Sequence, residues 1–314
     1  MTNRLGHPGT LMGSQRRQIS GVLLLDKPPG ISSQAAVTRA KNLLRAVKAG
    51  HTGTLDPMAS GLLPVCFGEA TKFSRWLLNG DKTYVATMKL GLTTTTGDME
   101  GAVTAKAEVR ILRKDVETVL RRFCGEIMQT PPMYSAVKHA GQPLYKYARA
   151  GRELPRMPRR IWIFAMDVVS FEGDELTVTV KCGKGTYIRV LAEEIGRDLG
   201  CGGCLTVLRR TAVGEFDLSC AVTLEDLERM TPVQREAHLM PVDSLVASLP
   251  RIDLSPSEMR RIATGRVVEI AGVQSVGTAR VYGPAQDFVG VAEVEASGRV
   301  VPQRLVSQCP VISL

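Results

Sequence analysis

Gly50-His51-Thr52-Gly53-Thr54-Leu55-Asp56-Pro57-Met58-Ala59-Ser60-Gly61 sets one carboxylate and one imidazole in a turn-rich segment with three glycines. Glycine tolerates positive φ and lets backbone approach a ligand closely, and a proline pushes the residue before it out of the helical basin. The segment therefore reads as a rigid loop that displays Asp56 and His51. An isolated Asp-Pro is more simply a turn. The weight of this one depends on what surrounds it.

On the N-terminal side, Gly21 to Asp26 reads as an apolar strand and Lys27-Pro28-Pro29-Gly30 as a turn. Ser32 or Ser33 can cap a helix carrying Ala36, Val37, Ala40, Leu43, Leu44 and Val47 at helical spacing. After the loop come a strand from Leu62 to Phe67, a short helix from Glu69 to about Leu78 and an alternating strand from Thr83 to Leu90. Asp98 to Gly101 reads as a turn before a strand starting at Ala102, and Lys114 to Phe123 as a helix. Periodicity fails between Gly125 and Arg160, where tyrosines interleave with lysines and arginines, a composition suited to gripping RNA by charge and stacking. Beyond it, Ile161–Phe171 pairs with Leu176–Val180, Thr186–Leu199 is helical, Leu205–Leu208 and Ala212–Phe216 are strands, and a helical stretch runs from Leu224 to about Leu249. Composition shifts at Pro250 toward short valine- and glycine-rich alternations. The division is a flexible basic arm (1–18), a main domain (19–249, with 125–160 as insertion) and a small β-rich module (250–314).

The 314 residues carry a net charge of +9, which suggests a polyanionic partner such as nucleic acid. No apolar run is long enough to span a membrane, and no secretory core opens the chain. Seven cysteines fit reduced thiols, and a cytoplasmic protein is the expectation. Cys201 and Cys204 have zinc-knuckle spacing without a second ligand pair, so two thiols at a tight turn are the default. Zinc-protease, nucleophile-elbow, phosphate-loop and dinucleotide motifs are missing.

Six separated motifs then fall in one order: Gly21 to Pro28, the His51–Gly61 loop, Asp81-Lys82-Thr83-Tyr84, Pro132-Met133-Tyr134-Ser135-Ala136, Gly185-Thr186-Tyr187-Ile188-Arg189 and Leu208-Arg209-Arg210. Over residues 20–220 the chain resembles the TruB family, bacterial pseudouridine synthases that isomerise the uridine at position 55 in the TΨC loop of tRNA. The resemblance implies an α+β fold with a mixed, mostly antiparallel sheet in the catalytic domain, and the tail resembles a small β-barrel-like PUA module. It implies Asp56 as the essential carboxylate, Arg189 as its cationic partner and Tyr84 against the target base. Tyr187 and Leu208 would line the pocket, His51 would contact RNA, and Lys27 with Pro28 would support the active-site loop. The reaction moves a glycosidic bond and needs no redox cofactor, no ATP and, in this family, no metal.

The partner implied is the T-arm stem-loop of tRNA, bound by a monomer without a guide RNA or a membrane, with the uridine flipped from its stack. An alternative is a tRNA-binding folding factor whose isomerase activity is secondary, which the same grip would serve. A further alternative is the related RNA-guided synthase, against which the long tyrosine- and arginine-bearing insertion argues. Three routes are open to Asp56: attack on the sugar, addition to the base, or an elimination.

Overall fold

The computed structural model describes residues 16–270 and 276–307. Residues 1–15 of the expected arm lie outside the described residues, as do 271–275 and 308–314. Arg16 and Arg17 are docked: the Arg17 amide donates to the Arg45 carbonyl at 2.7 Å, and its guanidinium pairs with Glu236.

The chain runs β1 (Gly21–Lys27), α1 (Ser33–Leu43), β2 (Ala49–His51), β3 (Ser60–Phe67), α2 (Ser74–Leu78), β4 (Lys82–Leu90), β5 (Leu92–Thr94), β6 (Val103–Lys106) and α3 (Arg113–Phe123). Then follow β7 (Gly125–Gln129), β8 (Lys138–His139), β9 (Gln142–Pro143), α4 (Leu144–Arg149), β10 (Arg159–Glu172), β11 (Glu175–Cys182), α5 (Ile188–Asp198), β12 (Gly203–Val213), β13 (Phe216–Asp217), β14 (Val222–Thr223), α6 (Leu224–Arg229) and α7 (Pro232–Ala237). The last part holds β15 (Arg251–Asp253), α8 (Pro256–Ala263), β16 (Val268–Glu269), β17 (Gly277–Tyr282), β18 (Phe288–Val294) and β19 (Arg299–Leu305). This is the α+β class expected.

The large sheet has the order β14-β1-β3-β12-β4-β11-β10-β7, with β2 added on β3 and β13 on β12. Among the described strand pairs of this sheet, β1–β14 and β12–β3 are parallel and the rest antiparallel. Strand alternation splits its side chains between two cores. Leu23 and Leu25 of β1 face the core under α1, α3 and α5, whereas Val22 and Leu24 face a second core. Being covered on both faces is why β1 and β3 read as unbroken apolar runs. A five-stranded sheet, β15-β17-β18-β19-β16, forms the small module. Phe288 of that module meets Phe73 of the main domain at 5.1 Å between ring centres, and Tyr282 donates to Asp243 at 2.5 Å.

Several elements differ from the sequence reading. The α1 helix is capped by Ser32, whose hydroxyl accepts from the Ala35 amide, but the chain turns at Arg45 with φ of 53°, so Val47 lies beyond the helix and is exposed. The two strands expected at Leu205–Leu208 and Ala212–Phe216 are instead the continuous β12 and the short β13. Arg209 and Arg210 do not interrupt β12, because Asp26 pairs with the first and main-chain carbonyls receive the second. The expected helix from Leu224 to Leu249 is broken after Arg229 and again before Pro241, where a 3₁₀ turn over Val242–Val246 follows. Within 125–160 there is more order than the missing periodicity suggests: a strand, a two-residue hairpin and a six-residue helix. No described helix is long and apolar enough to cross a membrane.

Candidate active site

Three buried side chains fasten the loop that carries Asp56. The Ser33 hydroxyl donates to the Leu55 carbonyl at 2.9 Å and accepts from the Leu55 amide at 2.7 Å, gripping both sides of the residue before Asp56. Lys27 donates to the carbonyls of Pro28, Ile31 and Pro57 at 2.8, 2.7 and 3.3 Å. Arg210 donates from Nε to Leu62 O at 2.7 Å and from its Nη atoms to Gly53 O at 3.1 Å and Thr54 O at 3.5 Å. Burying such cations costs free energy unless every donor finds a partner, and here main-chain oxygens take them. Gly61, at φ +100°, lets β3 lie so close to β12 that a Cβ there would stand 2.2 Å from the Arg210 carbonyl oxygen. The loop is thus fastened to the scaffold on both sides of Asp56.

Asp56 faces Arg189, which projects from the first turn of α5. Arg189 Nε donates to Asp56 Oδ2 at 2.8 Å, Nη1 to the Thr96 carbonyl at 3.2 Å and Nη2 to the Tyr134 carbonyl at 2.8 Å. A second carboxylate, Asp98, stands with Oδ2 3.5 Å from the same Nε. The Arg189 and Asp98 side chains are each only 4% exposed, and the Asp56 side chain is 35% exposed, so one buried guanidinium joins an inner carboxylate to an outer one that solvent and ligands can reach. Thr96 Oγ1 and the Glu100 amide hold the other oxygen of Asp98.

Asp56 opens into a cavity of about 530 Å³ walled by Tyr84, Leu208, Tyr187, Lys82, Ser135 and Arg210, with Arg159, Arg160 and Lys184 at its rim. Tyr84 lies across from Arg210 in β12 and Val180 in β11. Burial pushes its phenol above the ordinary value, opposed by the Arg210 cation, so it carries its proton at neutral pH. Burial also raises the Tyr187 phenol. Lys82 donates to the carbonyls of Leu78 and Gly80, and burial beside Arg210 lowers its amine to about 8.

Asp56, Tyr84, Arg189, Tyr187 and Leu208 thus converge on one cavity. His51 and Lys27 do not line it. His51 accepts from the Gly53 amide through Nδ1 at 3.3 Å, and burial, with Arg210 nearby, lowers its pKa toward the neutral ring. Lys27 is behind the loop; burial lowers its amine to about 8 while the Asp56 charge pulls the other way. Asp98, Ser33, Gln129 and an individual role for Arg210 went unseen in the sequence. Asp98 carried only a turn signal, and no spacing rule links it to Arg189. In the insertion, Arg149 lies over Tyr145 at 5.5 Å and Arg152 over Tyr147 at 5.6 Å, so these cations and rings are already paired. Cys201 and Cys204 turn apart, the first toward the Gly202 carbonyl and the second toward Met99 Sδ.

The Asp56–Arg189–Asp98 cluster thus stands beside this cavity, in a mixed sheet with a small β module, and comparison with known families says which class this is. The TruB family pseudouridylate synthase N-terminal domain matches residues 41–188, the tRNA pseudouridylate synthase B C-terminal domain 189–247, and the C-terminal domain of pseudouridine synthase II TruB 250–306. A protein of Azoarcus sp. (strain BH72) called tRNA pseudouridine synthase B is 52% identical over 292 residues, spanning 93% of this chain and 96% of that one. One of the same description from Thiobacillus denitrificans (strain ATCC 25259 / T1) is 52% identical over 296 residues, spanning 94% and 99%. Among solved structures, that of a Cbf5-Nop10-Gar1 complex contains a similar chain, with a TM-score of 0.71 at 27% identity, covering 93% of this chain and 85% of that one. The chain belongs to the TruB family of pseudouridylate synthases.

Proposed function

We propose that this chain converts uridine 55 of the tRNA TΨC loop to pseudouridine, acting alone in the cytoplasm on a uridine flipped into the Asp56 cavity. The observation that carries this reading is Asp56 Oδ2, held at 2.8 Å by the buried Arg189 and facing an open cavity of about 530 Å³ beside Tyr84. The tRNA substrate is supported by the roughly fifty-per-cent-identical relatives called tRNA pseudouridine synthase B.

In this reading the bond from the sugar C1′ to base N1 breaks with its electron pair left on N1, the uracil turns, C1′ bonds to C5, the C5 hydrogen leaves as a proton, and N1 takes up a proton. Asp56 is the carboxylate that acts on the nucleoside. Arg189 holds it in place and supplies positive charge while bonds change, a contribution that grows in a site with little water. Tyr84 and Leu208 flank the detached base and keep it from escaping, and the protonated Tyr84 hydroxyl offers it a hydrogen bond. Arg159, Arg160 and Lys184 at the rim face the phosphates. His51 and Lys27 serve from behind: Lys27 locks Pro57, and the neutral His51 ring braces Gly53.

The test is to incubate an unmodified tRNA transcript with the purified chain, label pseudouridine with a carbodiimide and map it by primer extension. A single stop reporting position 55 is expected. A stop elsewhere would remove the site assignment, and no stop would remove the activity.

A further inference from the structure

Gln129 is the last residue of β7 and is 1% exposed. Its side-chain amide spends both ends on one residue: Oε1 accepts from the Tyr187 amide at 2.8 Å, and Nε2 donates to the Tyr187 carbonyl at 3.2 Å. That is a two-point clamp on the main chain of one residue, like one rung of a sheet built from a side chain. Tyr187 is the boundary residue of α5, and its own side chain caps nothing there. Its ring lines the cavity, and Arg189 follows two residues later.

We infer that Gln129 is a positioning residue for the uridine reaction: by fixing the Tyr187 main chain it sets both the Tyr187 ring and the launch point of α5, and so the place from which Arg189 reaches Asp56. The inference rests on the proposed role of the cavity as the uridine site. The neighbourhood supports a precise rather than a merely space-filling role. A leucine would occupy the volume but leave the Tyr187 N–H without its partner and its carbonyl with only the Leu191 amide, at 3.1 Å. The segment that leaves Gln129 returns to the same spot, since the Tyr134 carbonyl accepts from Arg189 Nη2 at 2.8 Å. The start of α5 is therefore tied twice to the first residues of the insertion. Small displacements of groups that position a reacting centre cost rate more than affinity.

Among the charged groups around Gln129 are Arg159, its cross-strand partner in β10, and Glu194 of α5, which lies beside the Gln129 side chain. They make a discriminating variant available. In Gln129→Glu the carboxylate can still accept from the Tyr187 amide, but it repels the Tyr187 carbonyl. Only the protonated acid restores a donor, and burial near Glu194 favours the protonated form.

The experiment measures single-turnover tritium release from C5-labelled tRNA, and tRNA affinity, for the wild type, Gln129→Leu and Gln129→Glu across pH. The wild type must release tritium; if it does not, the uridine-site reading fails and this inference is not what has been tested. Given wild-type release, Gln129→Leu should lose about ten- to a hundredfold in rate constant with affinity within about twofold. Gln129→Glu should fall toward the Gln129→Leu rate as pH rises and its carboxyl ionises, and recover toward the wild-type rate as pH falls, a limb absent from the wild type. A Gln129→Leu rate equal to the wild type's, a loss confined to affinity, or a Gln129→Glu profile parallel to the wild type's would overturn the inference. If Gln129→Leu does not fold, the Gln129→Glu profile alone decides.

Discussion

Asp98 Oδ2 stands 3.5 Å from the Nε of Arg189, the same nitrogen that donates to Asp56. The inner carboxylate is fixed by Thr96 and the Glu100 amide, so the guanidinium is anchored from behind and presents itself to Asp56 in one pose. Removing one charge from a buried ionic cluster costs more than removing an exposed one, because the remaining charges lose their compensation.

Asp98→Asn keeps the size and the acceptor oxygen of Asp98 but removes its charge. The rate constant for pseudouridine formation should fall about a hundredfold, with tRNA affinity within about twofold. Single-turnover kinetics beside a filter-binding titration would measure both. An unchanged rate constant would separate Asp98 from the function of Arg189.

Ser33→Ala removes a donor and an acceptor from the Leu55 main chain at once. The chain should lose about 1–3 kcal/mol of stability from the two backbone groups left buried. The loop bearing Asp56 should also exchange its amide hydrogens faster. Urea unfolding and hydrogen exchange at Leu55 would report these, and unchanged exchange there would mean that Lys27 and Arg210 suffice to hold the loop.

Gly61→Ala meets the Arg210 carbonyl oxygen at 2.2 Å and needs φ +100° of a residue with a Cβ. Backbone must move at the parallel β3–β12 contact, at Ser60–Arg209 and Gly61–Arg210. A loss of about 3 kcal/mol or more is expected from overpacking and strain together. Equilibrium unfolding decides it, and a loss below about 1 kcal/mol would show that the strand pair adjusts freely.

Lys27→Met should alter how stability depends on pH. Burial lowers the folded amine to about 8 from 10.5, so between those values the unfolded chain keeps a proton that the folded chain has shed. Stability from this source is complete above the unfolded value and is lost as pH falls toward the folded one. The wild type should gain on Lys27→Met as pH rises from 8 to 10 in urea unfolding series. A constant difference would mean that Lys27 titrates alike in both states.

Much of the fold was legible because its central strands alternate cleanly: β4 buries Tyr84, Ala86, Met88 and Leu90 on one face, and its sequence shows that period directly. The apolar runs of β1 and β3 were legible for the opposite reason, since both faces are covered. The reading failed where tertiary contacts override local signals. Arg209 and Arg210 look like a break in a strand until Asp26 and the Leu62 carbonyl are brought beside them. Asp56, Tyr84, Tyr187, Leu208 and Arg189 came from motif resemblance, and the fold brings all five to one cavity. Asp98 and Gln129 were invisible because their meaning lies in partners 91 and 58 residues away, at Arg189 and Tyr187. No helical or strand period connects such positions.

The most direct measurement of the central claim follows tritium from C5 of tRNA uridine for the wild type and Asp56→Asn, with tRNA affinity and tRNA refolding measured in parallel. Catalysis by Asp56 requires release by the wild type, none above background by Asp56→Asn, and equal affinity for the two. Release by Asp56→Asn at the wild-type rate would contradict it, and absence of release from both with intact refolding activity would leave an RNA-folding factor in its place.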